Sequence, residues 1–181
     1  MKRWGLLFLG VLLFSGVASA QDDSKVSAFV GYSHLFTVLG TNIKNTNSNG
    51  GNASVEFDLN NWFGAVGDVA GYYTGNFAGT KKTDTLITFM GGPRFSLRSG
   101  KARLFGEGLF GGAHTSVSTF TKNAFSFAVG GGADVNVSEH FSVRIVEADY
   151  VYTKFNVSPF FGPNNTKQNS ARISTGVVIR F

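Results

Sequence analysis

From residue 26 onward the chain alternates apolar and polar positions with a period of two, in eight separate runs. They span 26–36, 51–60, 62–74, 83–97, 101–116, 124–137, 140–154 and 168–181. In the third run Phe63, Ala65, Gly67, Val69, Gly71 and Tyr73 share a face, while Asp68 lies opposite with Gly64 and Val66. The fourth sets Ile87, Phe89, Pro93 and Phe95 against Thr88, Arg94 and Ser96. The sixth sets Phe125, Phe127, Val129, Ala133, Val135 and Val137 against Ser126, Asp134 and Asn136. Alternation of this kind is the mark of a strand with two different faces. No stretch of useful length carries the helical period.

The connections alternate too. Asn60-Asn61, 98–101 and 138–140 are tight, whereas 37–50, 75–82, 116–123 and 156–167 are longer and polar. An even number of strands with short turns at one end and long loops at the other predicts an all-β fold, an eight-stranded antiparallel up-and-down transmembrane β-barrel. A soluble barrel of lipocalin type is the competing architecture, with large apolar groups inside and charges outside. Here the uncharged face is the bulky one, and the charged face is sparse and rich in glycine. That assignment suits a narrow lumen surrounded by lipid. Hydrocarbon offers no partner to a free N–H or C=O, so a spanning sheet must close on itself. The runs also reach the roughly 9–11 residues that a tilted strand needs to cross. Aromatic residues fall at two levels. Phe57, Trp62, Phe63, Phe95, Phe141 and Phe181 lie at the turn end, and Tyr32, Phe36, Tyr73, Phe125 and Tyr152 lie nearer the loops, as interfacial girdles do.

The first twenty residues belong to another category. Lys2 and Arg3, an apolar stretch from Leu6 to Phe14 and Ala18-Ser19-Ala20 form a signal peptide, with cleavage expected after Ala20. Residues 1–20 are therefore a leader and residues 21–181 one barrel domain. The implied location is the outer membrane of a Gram-negative type cell. The absence of cysteine excludes disulfides, thiolate metal sites and a lipid-anchored lipoprotein. The formal charge of +5 includes Lys2 and Arg3. What remains is mildly basic with no basic stripe, so no nucleic-acid partner is expected.

By phase, the ions that point inward are Glu56, Asp68, Arg94, Arg103, Glu107, Asp134, Arg144, Glu147, Asp149, Arg172 and Arg180. In the seventh run Phe141, Val143 and Ile145 point out, yet Ala148, Tyr150 and Tyr152 must do so as well. A β-bulge between Ile145 and Val146 reconciles the two halves and puts Arg144 and Glu147 both inside. Charges in so narrow a space are expected to pair in a hydrogen-bonded network, which leaves little room for a pore. A narrow ion-conducting channel is the alternative. A lipid A deacylase places a His-x-Ser on a strand with an acid on its neighbour. His114 and Ser116 have that spacing, but the expected outward positions of the sixth run supply no acid. The Gly-rich 129–134 precedes no helix that could hold a phosphate. His34, His114 and His140 lie on different runs with no metal-ligand spacing. No catalytic residue, metal or cofactor is expected. Lys81 and Lys82 could meet lipid A phosphates from a loop tip.

The last run ends on a bare aromatic. Ser174-x-Gly176-x-x-Ile179-x-Phe181 resembles the C-terminal signal by which the outer-membrane assembly machinery recognises its barrels. The segments GGPRFSL (91–97) and FSVRIVEADYVYTKF (141–155) are similar to recurring strand motifs of small members of the outer-membrane β-barrel family that includes the N-terminal domain of OmpA. The resemblance stops at the eighth strand, so a peptidoglycan-binding domain is not part of the expectation. It implies a small, non-enzymatic barrel with a structural or surface-interaction role exercised through four extracellular loops. Its implied partners are outer-membrane lipids and lipopolysaccharide, the assembly machinery during biogenesis, and a surface ligand at the loops.

Overall fold

The computed structural model describes residues 25–38, 46–74, 84–117, 120–155 and 166–181; the expected leader, residues 1–20, lies outside them. They form eight strands: β1 (Val26–Val38), β2 (Thr46–Asp58), β3 (Phe63–Thr74), β4 (Asp84–Ser99), β5 (Ala102–Val117), β6 (Phe120–Asn136), β7 (Phe141–Phe155) and β8 (Thr166–Arg180). Each pairs antiparallel with its sequence neighbours, and β8 pairs with β1 to close the barrel. The seam runs from Ser27↔Arg180 to Val38↔Asn169, and the Phe181 N–H donates to the Val26 carbonyl at 3.0 Å. No edge is left open, as hydrocarbon requires.

The three tight turns are set by local chemistry. Between β2 and β3 the Asn60 side-chain oxygen accepts the N–H groups of Trp62 and Phe63 at 3.0 and 2.7 Å, an Asx turn that reverses the chain. Gly100 turns β4 into β5 at φ 56°, a left-handed conformation that side chains disfavour. Between β6 and β7 the Ser138 hydroxyl accepts the Phe141 N–H at 3.2 Å.

Two strand boundaries differ from the sequence reading. β2 begins at Thr46, so Thr46–Gly50 pair with β1 up to Thr37↔Thr46 and are not loop. Their composition reads as turn, but the free edge of β1 extends far enough to pair with them. The expected loop at 116–123 is likewise mostly sheet, because β5 and β6 pair as far as Val117↔Phe120. The stretch is mostly Ser, Thr, Lys and Asn around Val117 and Phe120, with too few apolar residues to mark a membrane strand. The barrel therefore carries three longer connections and one long hairpin at the loop end.

The kink in β7 falls at the expected place. Asp134 pairs with Arg144 and Ala133 with Val146, so Ile145 is the extra residue. Ile145 and Val146 are both exposed, whereas Arg144 and Glu147 are both buried. The Thr175 hydroxyl donates to the Arg144 carbonyl at 2.9 Å beside this slip. Outside it, phase is kept throughout. The outer face carries Val30, Val69, Phe89, Phe110, Phe125, Val129 and Ile173, all exposed, and the inner face carries every buried ion.

Candidate functional site

The lumen is the concentrated chemistry of the molecule. Ten of the eleven ions assigned inward are buried: Glu56, Asp68, Arg94, Arg103, Glu107, Asp134, Arg144, Glu147, Asp149 and Arg172. The eleventh, Arg180, lies half-covered at the turn-end rim and donates to Asn136 at 2.8 Å. Period-two strands converge these groups because each of β2 to β8 turns between one and three ions to the same inner face.

Each buried arginine contacts at least two carboxylates. Arg94 donates to Glu107 at 2.6 Å and to Glu56 at 2.9 Å. Arg103 pairs with the same Glu56 and donates to Ser96 at 2.7 Å. Arg144 holds Asp134 at 2.8 Å and also pairs with Glu147. Arg172 reaches Asp149 at 2.7 Å, Asp68 at 2.6 Å and Glu147 at 3.2 Å. Since Arg94 also stands 3.9 Å from Glu147, these contacts form one connected set. Many of them bypass the neighbouring strand: β4 reaches β2, β5 reaches β2, and β8 reaches β3. They act as spokes across the barrel. The planar guanidinium fork suits this task, because it satisfies several carboxylates in fixed directions. Two aromatic rings complete the floor. The Arg94 guanidinium stacks 4.2 Å from the Phe105 ring centre, and Arg144 lies 4.2 Å from Phe29 and 4.4 Å from Phe105.

The lumen is not uniformly polar, which the sequence reading did not foresee. Toward the loop end on β4, β5 and β7, Arg94 gives way to Met90, Glu107 to Leu109 and Asp149 to Val151. Val66, Met90, Leu109, Ala128 and Val151 pack as one cluster, and Leu35, Ala70, Tyr72 and Leu86 as another. The signal was available, because these residues share the phase of the ions. Attention to charge hid the apolar members of the same face. Between the clusters and Arg172 lies a cavity of about 10 Å³, lined also by Thr88, Thr153 and Ser170, about the space of a single water.

Among the described residues, one group of carboxylates stands close enough to share an ion. Glu107, Glu147 and Asp149 each bring an oxygen within 4.8 Å of the others. Their arginine partners already occupy most of those oxygens.

On the outer face His114 gains a partner that the sequence reading placed in a loop. Its Nδ1 lies 2.7 Å from the Asn123 oxygen of β6. The same pairing joins His34 to Asn49 at 2.7 Å, and the residue two positions beyond His34 is Phe36, with no hydroxyl. Tyr32 and Tyr150 donate in the same way to Asn49 and Asn169. Cross-strand contact to asparagine is thus a recurring feature of this end of the barrel. The side chain of Ser116 lies outside the described residues.

The residues of the terminal motif divide by face. Ser174 is buried and donates to Ser33 at 3.0 Å, and Gly176 sits where a Cβ would strike the Val30 carbonyl across the seam. Ile179 and Phe181 point outward.

The comparisons agree with this architecture. Neisserial surface protein A superposes with a TM-score of 0.67 at 14% identity, covering 89% of this chain and all of that one. Ail, the attachment invasion locus protein of Yersinia pestis, gives 0.60 at 20% identity over 88% of this chain and all of its own. OprG from Pseudomonas aeruginosa gives 0.52 at 12% identity over 86% and 95%. At such identities the likeness is one of fold. Among curated protein sequences no relative matches. The profile of the outer membrane protein beta-barrel domain matches residues 6–181, nearly the whole chain, and to that family the protein belongs.

Proposed function

We propose that this barrel is a sealed, non-enzymatic scaffold of the outer membrane whose specific activity lies at its loop end. One observation carries the reading: the lumen is filled across its section, first by the ion network and then by the apolar clusters. An ion crossing it would have to break buried ion pairs and then pass a layer of apolar side chains with only a few hydroxyl groups among them and no charge to replace its water, both costly in a low-dielectric interior. The alternative, a narrow channel, is tested by planar-bilayer recording of the refolded protein. No steady conductance steps are expected, and reproducible unit steps would overturn the sealed reading.

The termini and tight turns face the periplasm in this proposal, and the longer connections face outward, the common arrangement of such barrels. Recognition then belongs to connections on a rigid frame. Two structural neighbours are described as a surface protein and an attachment protein, and Ail has been crystallised with sucrose octasulfate, a heparin analogue. A sulfated polysaccharide is accordingly a reasonable first ligand for binding assays on whole cells. Lipopolysaccharide surrounds the outer leaflet in the same proposal. The absence of catalysis rests on the His114–Asn123 pair, whose counterpart at His34 has no nucleophile beside it.

Ser174, Gly176, Ile179 and Phe181 serve in this reading as the signal taken by the assembly machinery. Deleting Phe181 should lower the heat-modifiable, folded fraction in cell envelopes much more than it lowers refolding of purified protein in detergent. Equal losses in both assays would reduce Phe181 to a packing residue.

A further inference from the structure

The ions of the lumen do not balance. With the turn-end rim included, seven carboxylates (Glu56, Asp58, Asp68, Glu107, Asp134, Glu147 and Asp149) face six guanidinium groups (Arg94, Arg98, Arg103, Arg144, Arg172 and Arg180) among the described residues. The shortfall is one positive charge. Lys25 and Lys101 at the same end are exposed and contribute nothing inside.

The hydrogen bonds locate the shortfall. Glu56, Asp68, Asp134 and Glu147 use both of their oxygens. Glu107 uses only Oε2, on Arg94, and Asp149 only Oδ2, on Arg172. Glu107 Oε1 and Asp149 Oδ1 are fully buried and have no partner. Arg172 Nη2 stands 4.0 Å from Glu107 Oε1, beyond hydrogen-bond reach. Two buried carboxylate oxygens without a donor are costly as they stand. Their residues also belong, with Glu147, to the carboxylate group found among the described residues whose members each bring an oxygen within 4.8 Å of the others.

We infer that Glu107 and Asp149 form a proton-binding site, one proton being held between them, directly or through one water, in the folded barrel at neutral pH. A single proton supplies both things missing at this point, the charge and the donor. A metal ion fits less well. Arg172 and Arg94 already stand against these carboxylates, a divalent ion would overshoot the balance, and the interior cavity opens beside Leu35 and Tyr72 instead. The groups facing the pair are accounted for from every strand. β2 brings Glu56, β3 Asp68 and Tyr72, β4 Arg94, β5 Arg103, β6 Asp134, β7 Arg144 and Glu147, and β8 Arg172, while β1 adds no ionisable side chain to the lumen. Glycine at 130 belongs to the site as well, since a Cβ there would collide with Asp149 Oδ1.

The test uses the refolded full-length barrel. Infrared spectra at neutral pH should contain the C=O band of a protonated carboxylic acid, shifted on exchange into deuterated water. Glu107→Gln and Asp149→Asn should each abolish it, while Glu56→Gln should leave it. The folded barrel then binds one proton more than the unfolded chain. Its folding equilibrium constant should therefore fall about tenfold per pH unit as the pH rises from about 5 to neutrality, beyond the slope of the Glu107→Gln variant. The infrared measurement on unmodified protein stands even if a variant fails to fold. Absence of the band would overturn the proposal, as would a band that survives both substitutions. Stabilisation by calcium that a chelator removes would overturn it too, and would place a metal ion there instead.

Discussion

At the scale of single residues, arginine has two jobs in this lumen, and the two can be separated. Arg144 satisfies Asp134 and Glu147 while covering the rings of Phe29 and Phe105. Arg94 joins Glu56 to Glu107 while lying over the Phe105 ring. Leucine can replace the covering but not the pairing. Removing one partner of a buried ion pair leaves the other uncompensated, so Arg144→Leu or Arg94→Leu should destabilise the barrel by about 3–5 kcal/mol. Urea unfolding in detergent measures it. A loss below about 1 kcal/mol for both would mean that water reaches the lumen freely. The identity and inward direction of these residues are legible in the sequence, because alternation alone fixes the side of the sheet. Their partners are not. Arg172 meets Asp68 from a strand 104 residues away, and the cross-barrel contact depends on the shear of the closed sheet.

At the scale of the element, β7 is informative because its irregularity was written in the sequence. Two consecutive outward residues, Ile145 and Val146, interrupt a strand that is otherwise strictly alternating. Only a bulge lets ions on both sides of them point inward. Deleting Ile145 should therefore restore unbroken alternation from Phe141 to Phe155 and leave a folded, heat-modifiable barrel. Deleting Tyr150 in the regular part of the same strand should not. It would turn Glu147 and Asp149, or the residues beyond them, toward the wrong face. Gel mobility with and without heating distinguishes the outcomes, and equal tolerance of the two deletions would refute the phase argument. The ends of β2, β5 and β6 were not legible in this way. Their loop-end residues are mostly Asn, Ser, Thr and Lys, with Val117 and Phe120 the exceptions, and such a composition suits a loop as well as a strand standing beyond the apolar layer. Pairing with an already formed neighbour decides their state.

At the scale of the whole molecule, closure separates the frame from what it carries. Every strand is held by a ladder on each side, and the spokes of the lumen add ties between strands that are not neighbours. The connections at 39–45 and 156–165 lie outside the eight strands and outside the described residues. Loop-closure entropy changes slowly with length, so replacing either by a short turn should leave the stability of the barrel nearly unchanged. A cut that extends from 41 to 50 should behave differently. It removes Thr46–Gly50, which pair with β1 from Ser33 to Thr37 and set the Asn49 contacts to Tyr32 and His34. Trimming 39–45 and 156–165 should abolish whole-cell binding while unfolding in urea stays at its original midpoint, whereas the longer cut should lower the midpoint as well. If the trimmed barrel still binds as the intact protein does, recognition belongs to the β5–β6 hairpin or to the connection at 75–83, and those become the segments to exchange.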